Sequence, residues 1–153
     1  MPVSNAPTEH TYKIFFITPY DQSNRLEEIV IGSYRQAQTL SKKKLELITL
    51  KNIRDTEIAG QFVHGAPDAD LVVCNISKYN PNVLFELGMA HGADKAILLL
   101  IDNETPLNFD LIGFRYISYD LNFSKDLLVE NISNAIISAI KTPADWQKNF
   151  SSV

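Results

Sequence analysis

A chain of 153 residues with 45% hydrophobic and 21% charged side chains can bury one full core, so one globular domain is expected. The net charge of −4, with no basic run longer than Lys42–Lys44, argues against a general nucleic-acid binder. The longest strongly apolar run, Ala96–Ile101, is far too short to span a membrane, and the single cysteine, Cys74, excludes an internal disulfide and fits a reducing compartment, the cytoplasm.

In chain order, Met1–His10 is polar, lacks the apolar core of a signal peptide, and is expected as a flexible leader. Tyr12–Ile17 predicts the first strand, left through Thr18-Pro19-Tyr20-Asp21 with no Gly-x-Gly-x-x-Gly fingerprint. Leu26, Ile29, Val30, Ala37 and Leu40 recur at helical spacing between Ser23 and Lys43. Leu45–Leu50 predicts the second strand, and Asp55 can cap a short helix carrying Ile58, Phe62 and Val63. The third strand, Leu71–Cys74, is an apolar run of the kind buried on both faces. A helix from Asn80, a fourth strand at Lys95–Ile101 and the loop Asp102–Asp110 follow. Arg115–Tyr119 predicts the fifth strand, and Ser124–Lys141 a helix with Leu128, Ile132, Ala135, Ile136 and Ala139 facing inward.

Strands alternating with helices predict a single doubly wound, flavodoxin-like α/β domain over residues 11–141, with about five parallel strands in the order 2-1-3-4-5. Residues 142–153, with Trp146 and Phe150, form a tail that docks on the domain or meets a partner subunit. His10, His64 and His91 are scattered and no Cys/His spacing suggests a metal, so none is expected. Asp68 and Asp70 enter the third strand from the end far from the crevice and read as turn and cap residues.

The stretch from Asp68 to Ile101 organises the rest. Asn80 is a good N-cap, Pro81 suits the first helical position, and Val83, Leu84, Leu87 and Ala90 make one apolar stripe. Gly88 and Gly92 would let the helix approach the sheet closely or end nearby, and His91 reads as a hydrogen-bonded core residue. Glu86 falls on the edge of the stripe, on the side shared with Asn82, about a turn and a half into a helix that starts at the C-terminal edge of the sheet, where open α/β folds bind ligands. A bland alternative is a half-solvated carboxylate paired with a lysine or arginine. Asn75, Ser77, Asn80 and Asn82 crowd the same end with neutral hydrogen-bonding groups suited to a sugar. A helix N-terminus favours the carboxylate by only about 0.3–1 kcal/mol, so burial decides its protonation if the site is dry.

The run Asn80-Pro81-Asn82-Val83-Leu84-Phe85-Glu86-Leu87-Gly88-Met89-Ala90-His91 resembles the helix motif of the nucleoside 2-deoxyribosyltransferase-like superfamily. Phe16-Ile17-Thr18-Pro19-Tyr20 and Phe109-Asp110-Leu111-Ile112-Gly113-Phe114-Arg115 are similar to segments of its smaller bacterial members, and the likeness covers roughly residues 12–120. It implies a flavodoxin-like fold, cleavage or transfer at an N-glycosidic bond of a nucleoside, nucleotide or NAD, a nucleophile at the position of Glu86, and homo-oligomers in which a neighbour completes the site. Relatives include deoxyribosyltransferases, base-releasing nucleotide hydrolases and TIR domains, some of which cleave NAD in bacterial antiviral defence. On this reading Thr18, Pro19, Tyr20, Arg25, Asn75, Ser77, Asn80, Asn82 and Met89 bind the substrate, with Arg25 toward a phosphate; no cofactor is implied. Two positions depart from the pattern: Asn75 stands where many members carry Asp, and the preceding segment offers Phe62 and Val63 where some members place an acid.

The alternative is a non-catalytic module that senses a nucleotide or an ADP-ribose derivative, which Asn75 favours. A receiver-like domain would want an acidic group at the end of the third strand, where Asn75 stands, and a flavodoxin would purify yellow.

Overall fold

The computed structural model describes residues 8–19, 24–49, 68–143 and 145–146. The expected helix with Ile58, Phe62 and Val63, together with Tyr20, Asp21, His64 and Phe150, lies outside them. Five strands, β1 (Thr11–Ile17), β2 (Lys44–Thr49), β3 (Leu71–Asn75), β4 (Ile97–Asp102) and β5 (Arg115–Tyr119), form a parallel sheet in the order β2-β1-β3-β4-β5. Three helices are described: α1 (Asn24–Ser41), α2 (Pro81–Gly92) and α3 (Lys125–Lys141). This is the flavodoxin-like architecture expected from the alternation of strands and helices. Register is set by residues such as Ile14 opposite Leu71, Val73 opposite Leu98 and Leu99 opposite Tyr116.

The central strands are apolar without interruption because each buries both faces. Ile14, Phe16, Leu71, Val73, Leu98 and Leu100 point to one side, where Leu26, Ile29 and Val30 of α1 and Leu128, Ile132 and Ile136 of α3 cover them. Phe15, Ile17, Val72, Cys74, Ile97, Leu99 and Ile101 point to the other, under Val83, Leu87 and Ala90 of α2. Beyond α2 the second face is closed by Leu107, Leu111 and Phe114 from the β4–β5 connection. Trp146 belongs to the first core, 3% exposed, and its indole N–H donates to the Ile97 carbonyl at 2.9 Å. Among the described residues no helix is long and apolar enough to cross a membrane.

Four details differ from the expectations. Leu40 is 60% exposed: an 18-residue helix spans about 27 Å against about 23 Å for the seven residues of β1, so the last turn of α1 overhangs the sheet. The fourth strand begins at Ile97 rather than Lys95, because the Lys95 amide bonds back to the Ala90 carbonyl and closes the end of α2. His91 is exposed, with its ring edge-on to Phe114 at 5.0 Å between centroids. Gly88 does not serve close packing: it is exposed, and a Cβ placed on it meets no atom within 4 Å. Gly88→Ala is therefore expected to stabilise the fold by about 0.5–1 kcal/mol, because it trades mid-helix glycine entropy for alanine at no steric cost. A melting curve checks this; a loss of stability would mean that the open space is filled.

Candidate active site

The site is built where β3 ends and α2 begins. Asn80 caps α2, its side-chain oxygen accepting from the Asn82 and Val83 amides at 3.0 and 3.3 Å, and Pro81 takes the first helical position. The turn before it is unusual, for both Lys78 (φ 59°) and Tyr79 (φ 50°) adopt left-handed backbone that non-glycine residues avoid. Neighbouring bonds hold it there. The Lys78 amide donates to Thr105 Oγ1 at 3.0 Å, while Tyr79 Oη donates to the Pro106 carbonyl and accepts from the Asn108 amide at 2.6 Å. The β4–β5 connection thus clamps the start of α2.

With that start fixed, helical geometry places Glu86. Val83, Leu87 and Ala90 face the sheet, and at 100° per residue Glu86 and His91 lie on opposite flanks of that stripe, roughly 140° apart. His91 meets Phe114 of the β4–β5 connection, so Glu86 is turned the other way, toward β1. Asn82 and half-buried Met89 share its flank. Glu86 is itself half-buried, and burial raises its carboxyl pKa above the usual glutamate range. Its charge also reaches Cys74 in β3, whose thiol is pushed up first by complete burial and then by Glu86.

Across the C-terminal ends of the strands runs a polar cleft of about 630 Å³, bordered by Pro19, Ser77, Lys78, Asn80, Asp102, Tyr119 and Asp120. Glu86 is not among its lining residues. Pro19 is where the cleft reaches β1, the strand that the Glu86 flank faces. Of the expected substrate-binding residues, Pro19, Ser77 and Asn80 thus line the cleft, Asn82 and Met89 accompany Glu86, and Tyr20 falls outside the described residues. Arg25 sits near the rim, its guanidinium donating to the Leu121 carbonyl at 2.8 Å.

Thr18 and Asn75 meet across the switch point between β1 and β3: Asn75 Nδ2 donates to Thr18 Oγ1 at 3.1 Å. Asn75 is 1% exposed, so its amide lies beneath the crevice floor and braces it. Its oxygen accepts from the Ser77 amide at 3.2 Å and from Tyr119 Oη at 3.1 Å, and Tyr119 Oη lies 2.9 Å from Ser77 Oγ. Ser77 Oγ in turn accepts from the Asp102 amide at 2.9 Å. Burial, seconded by the Asp102 charge, raises the Tyr119 phenol pKa, while the bonds to Ser77 and Asn75 pull the other way. Tyr119 was not singled out from sequence, although its place at the C-terminal end of β5 was a usable signal. Among the described residues no group of three or more His, Cys, Asp or Glu side chains converges as a metal site would.

No protein-family model matches the chain, and no curated protein matches it by sequence. Solved structures do match. BcmB, a CMP N-glycosidase of Clostridium botulinum, aligns with a TM-score of 0.54 at 15% identity over 80% of this chain and 98% of its own. A flavodiiron protein from Giardia intestinalis aligns with a TM-score of 0.52 at 12% identity, over 92% of this chain and 37% of that longer one. A 2-deoxyribosyltransferase from Bacillus psychrosaccharolyticus matches at 0.47 and 15% identity, over 76% and 95%. At 15% and 12% identity, the first two matches show a shared fold and nothing more.

Proposed function

We propose that the chain cleaves, or transfers at, the N-glycosidic bond of a nucleoside, nucleotide or NAD, with Glu86 as the nucleophile. What supports this is a half-buried carboxylate on the flank of α2 away from Phe114, the β1 side, in a sheet whose β1–β3 switch point is where open α/β folds bind ligands. The shared fold with a CMP N-glycosidase supports it. The carboxylate attacks the anomeric carbon while the carbon–nitrogen bond breaks and its electron pair leaves with the base. Water or a second base then displaces Glu86 from the opposite face, and the sugar keeps its configuration. Attack needs the anion, so a carboxyl with a raised pKa moves the acid limb of the rate profile to higher pH than an ordinary glutamate would give.

A second reading, a ligand sensor without turnover, is favoured by Asn75, a neutral and buried amide that can supply no proton to a departing base. Product analysis by liquid chromatography separates the two. Purified wild type and Glu86→Gln are incubated with deoxynucleosides, nucleoside monophosphates and NAD. Free base or nicotinamide from the wild type only supports the enzyme. No release from any substrate, with ligand-induced thermal stabilisation of both proteins, leaves the sensor.

A further inference from the structure

We propose that Tyr119 is a positioning residue that, together with the Ser77 amide, holds Asn75 with its Nδ2 toward Thr18 and so leaves the Thr18 hydroxyl to donate to a sugar oxygen of the bound ligand. The inference rests on the reading above that the crevice takes a nucleoside, nucleotide or NAD. It follows from the direction in which five bonds must run. The Ser77 amide can only donate, so the Asn75 atom facing it is the oxygen. That oxygen can only accept, so Tyr119 spends its single proton on it. Ser77 Oγ must then donate its own proton to Tyr119 Oη, and its lone pair receives the Asp102 amide. With its oxygen so committed, Asn75 presents Nδ2 to Thr18, and Thr18 Oγ1 accepts. The Thr18 proton is left for a partner other than Asn75. Residues on β5 and β3 thereby set the polarity of one half-buried hydroxyl just past the end of β1, at the switch point.

The test is a double-mutant cycle read on binding in the Glu86→Gln background, where turnover does not interfere. Calorimetric titration with deoxycytidine, CMP and NAD compares Tyr119 with Tyr119→Phe, each combined with Thr18, Thr18→Ser or Thr18→Val. Tyr119→Phe is expected to weaken binding of at least one probe about ten-fold with Thr18 or Thr18→Ser present, the worth of one hydrogen bond, and less than about two-fold with Thr18→Val. Equal losses in all three backgrounds, or none, would overturn the inference, as would the failure of every probe to bind. Wild-type turnover is scored separately. Coupling of this kind in the Glu86→Gln background, with no base released by the wild type, removes the enzyme reading and leaves the inference standing. Asn75→Asp offers a second route should Tyr119→Phe not fold. The new carboxylate can only accept, so Thr18 must donate to it, and binding is expected to fall as far as in Thr18→Val; unchanged binding would sink the inference.

Discussion

Glu86→Gln is expected to melt at a higher temperature than the wild type at pH 7 while losing base release by a factor on the order of 10⁴ or more, the scale on which enzymes lose turnover without their nucleophile. The two effects share one cause. Glutamine keeps the volume of glutamate and removes its charge, and that charge is held where burial disfavours it. The folded-state pKa of Glu86 is raised above its unfolded value, so its contribution to stability is fully present below the unfolded value of about 4.3 and is lost as pH rises through the folded one. The melting-temperature gap should therefore be widest near neutrality and close as pH falls toward 4. Calorimetric melts of both proteins across pH 4–8 measure it. A glutamine variant that melts lower than wild type at pH 7 would mean that an ion pair, and not desolvation, governs the site.

The second large effect is predicted at the other end of the sheet. Trp146→Ala should cost about 3–5 kcal/mol, the usual loss for a buried large aromatic, and lower the melting temperature by on the order of 10 °C in a domain of this size. Three contacts are lost together: packing in the α1–α3 core, the indole bond to the Ile97 carbonyl, and the Arg115 guanidinium 4.1 Å from the ring centroid. Trp146→Phe keeps much of the packing and strands the carbonyl, so a smaller loss is expected. A melting temperature within about 2 °C of wild type for Trp146→Ala would show that residues beyond α3 add nothing to the core.

What could be seen in advance followed the range of the interaction. Asn80 and Pro81 announce a helix start because cap and proline act on amides two or three residues away. The alternation of apolar runs with amphipathic helices prescribes a parallel sheet, and its order came out as expected. Spacing also put Glu86 at the edge of the covered stripe, where it is found. A helical wheel does not state how wide the cover is, however: it gives His91 to the core, and the residue sits one step past it, against Phe114. Gly88 failed for a related reason: a glycine's smallness matters only where something comes close, and nothing does. The Tyr119–Ser77–Asn75 bonds were invisible because they join residues about 42–44 apart whose side chains meet only once β5 and β3 lie in one sheet.

Cys74 is the chain's single thiol, wholly buried at the centre of the sheet beside the Glu86 helix, with burial holding it in the unreactive protonated form. The molecule therefore contains its own opening reporter. A disulfide reagent added to the native protein has no target until α2 lifts from β3 or the whole domain unfolds. Labelling rates then count those openings one by one. If a nucleotide slows the labelling while global stability in urea is unchanged, the protected motion is the local one at α2.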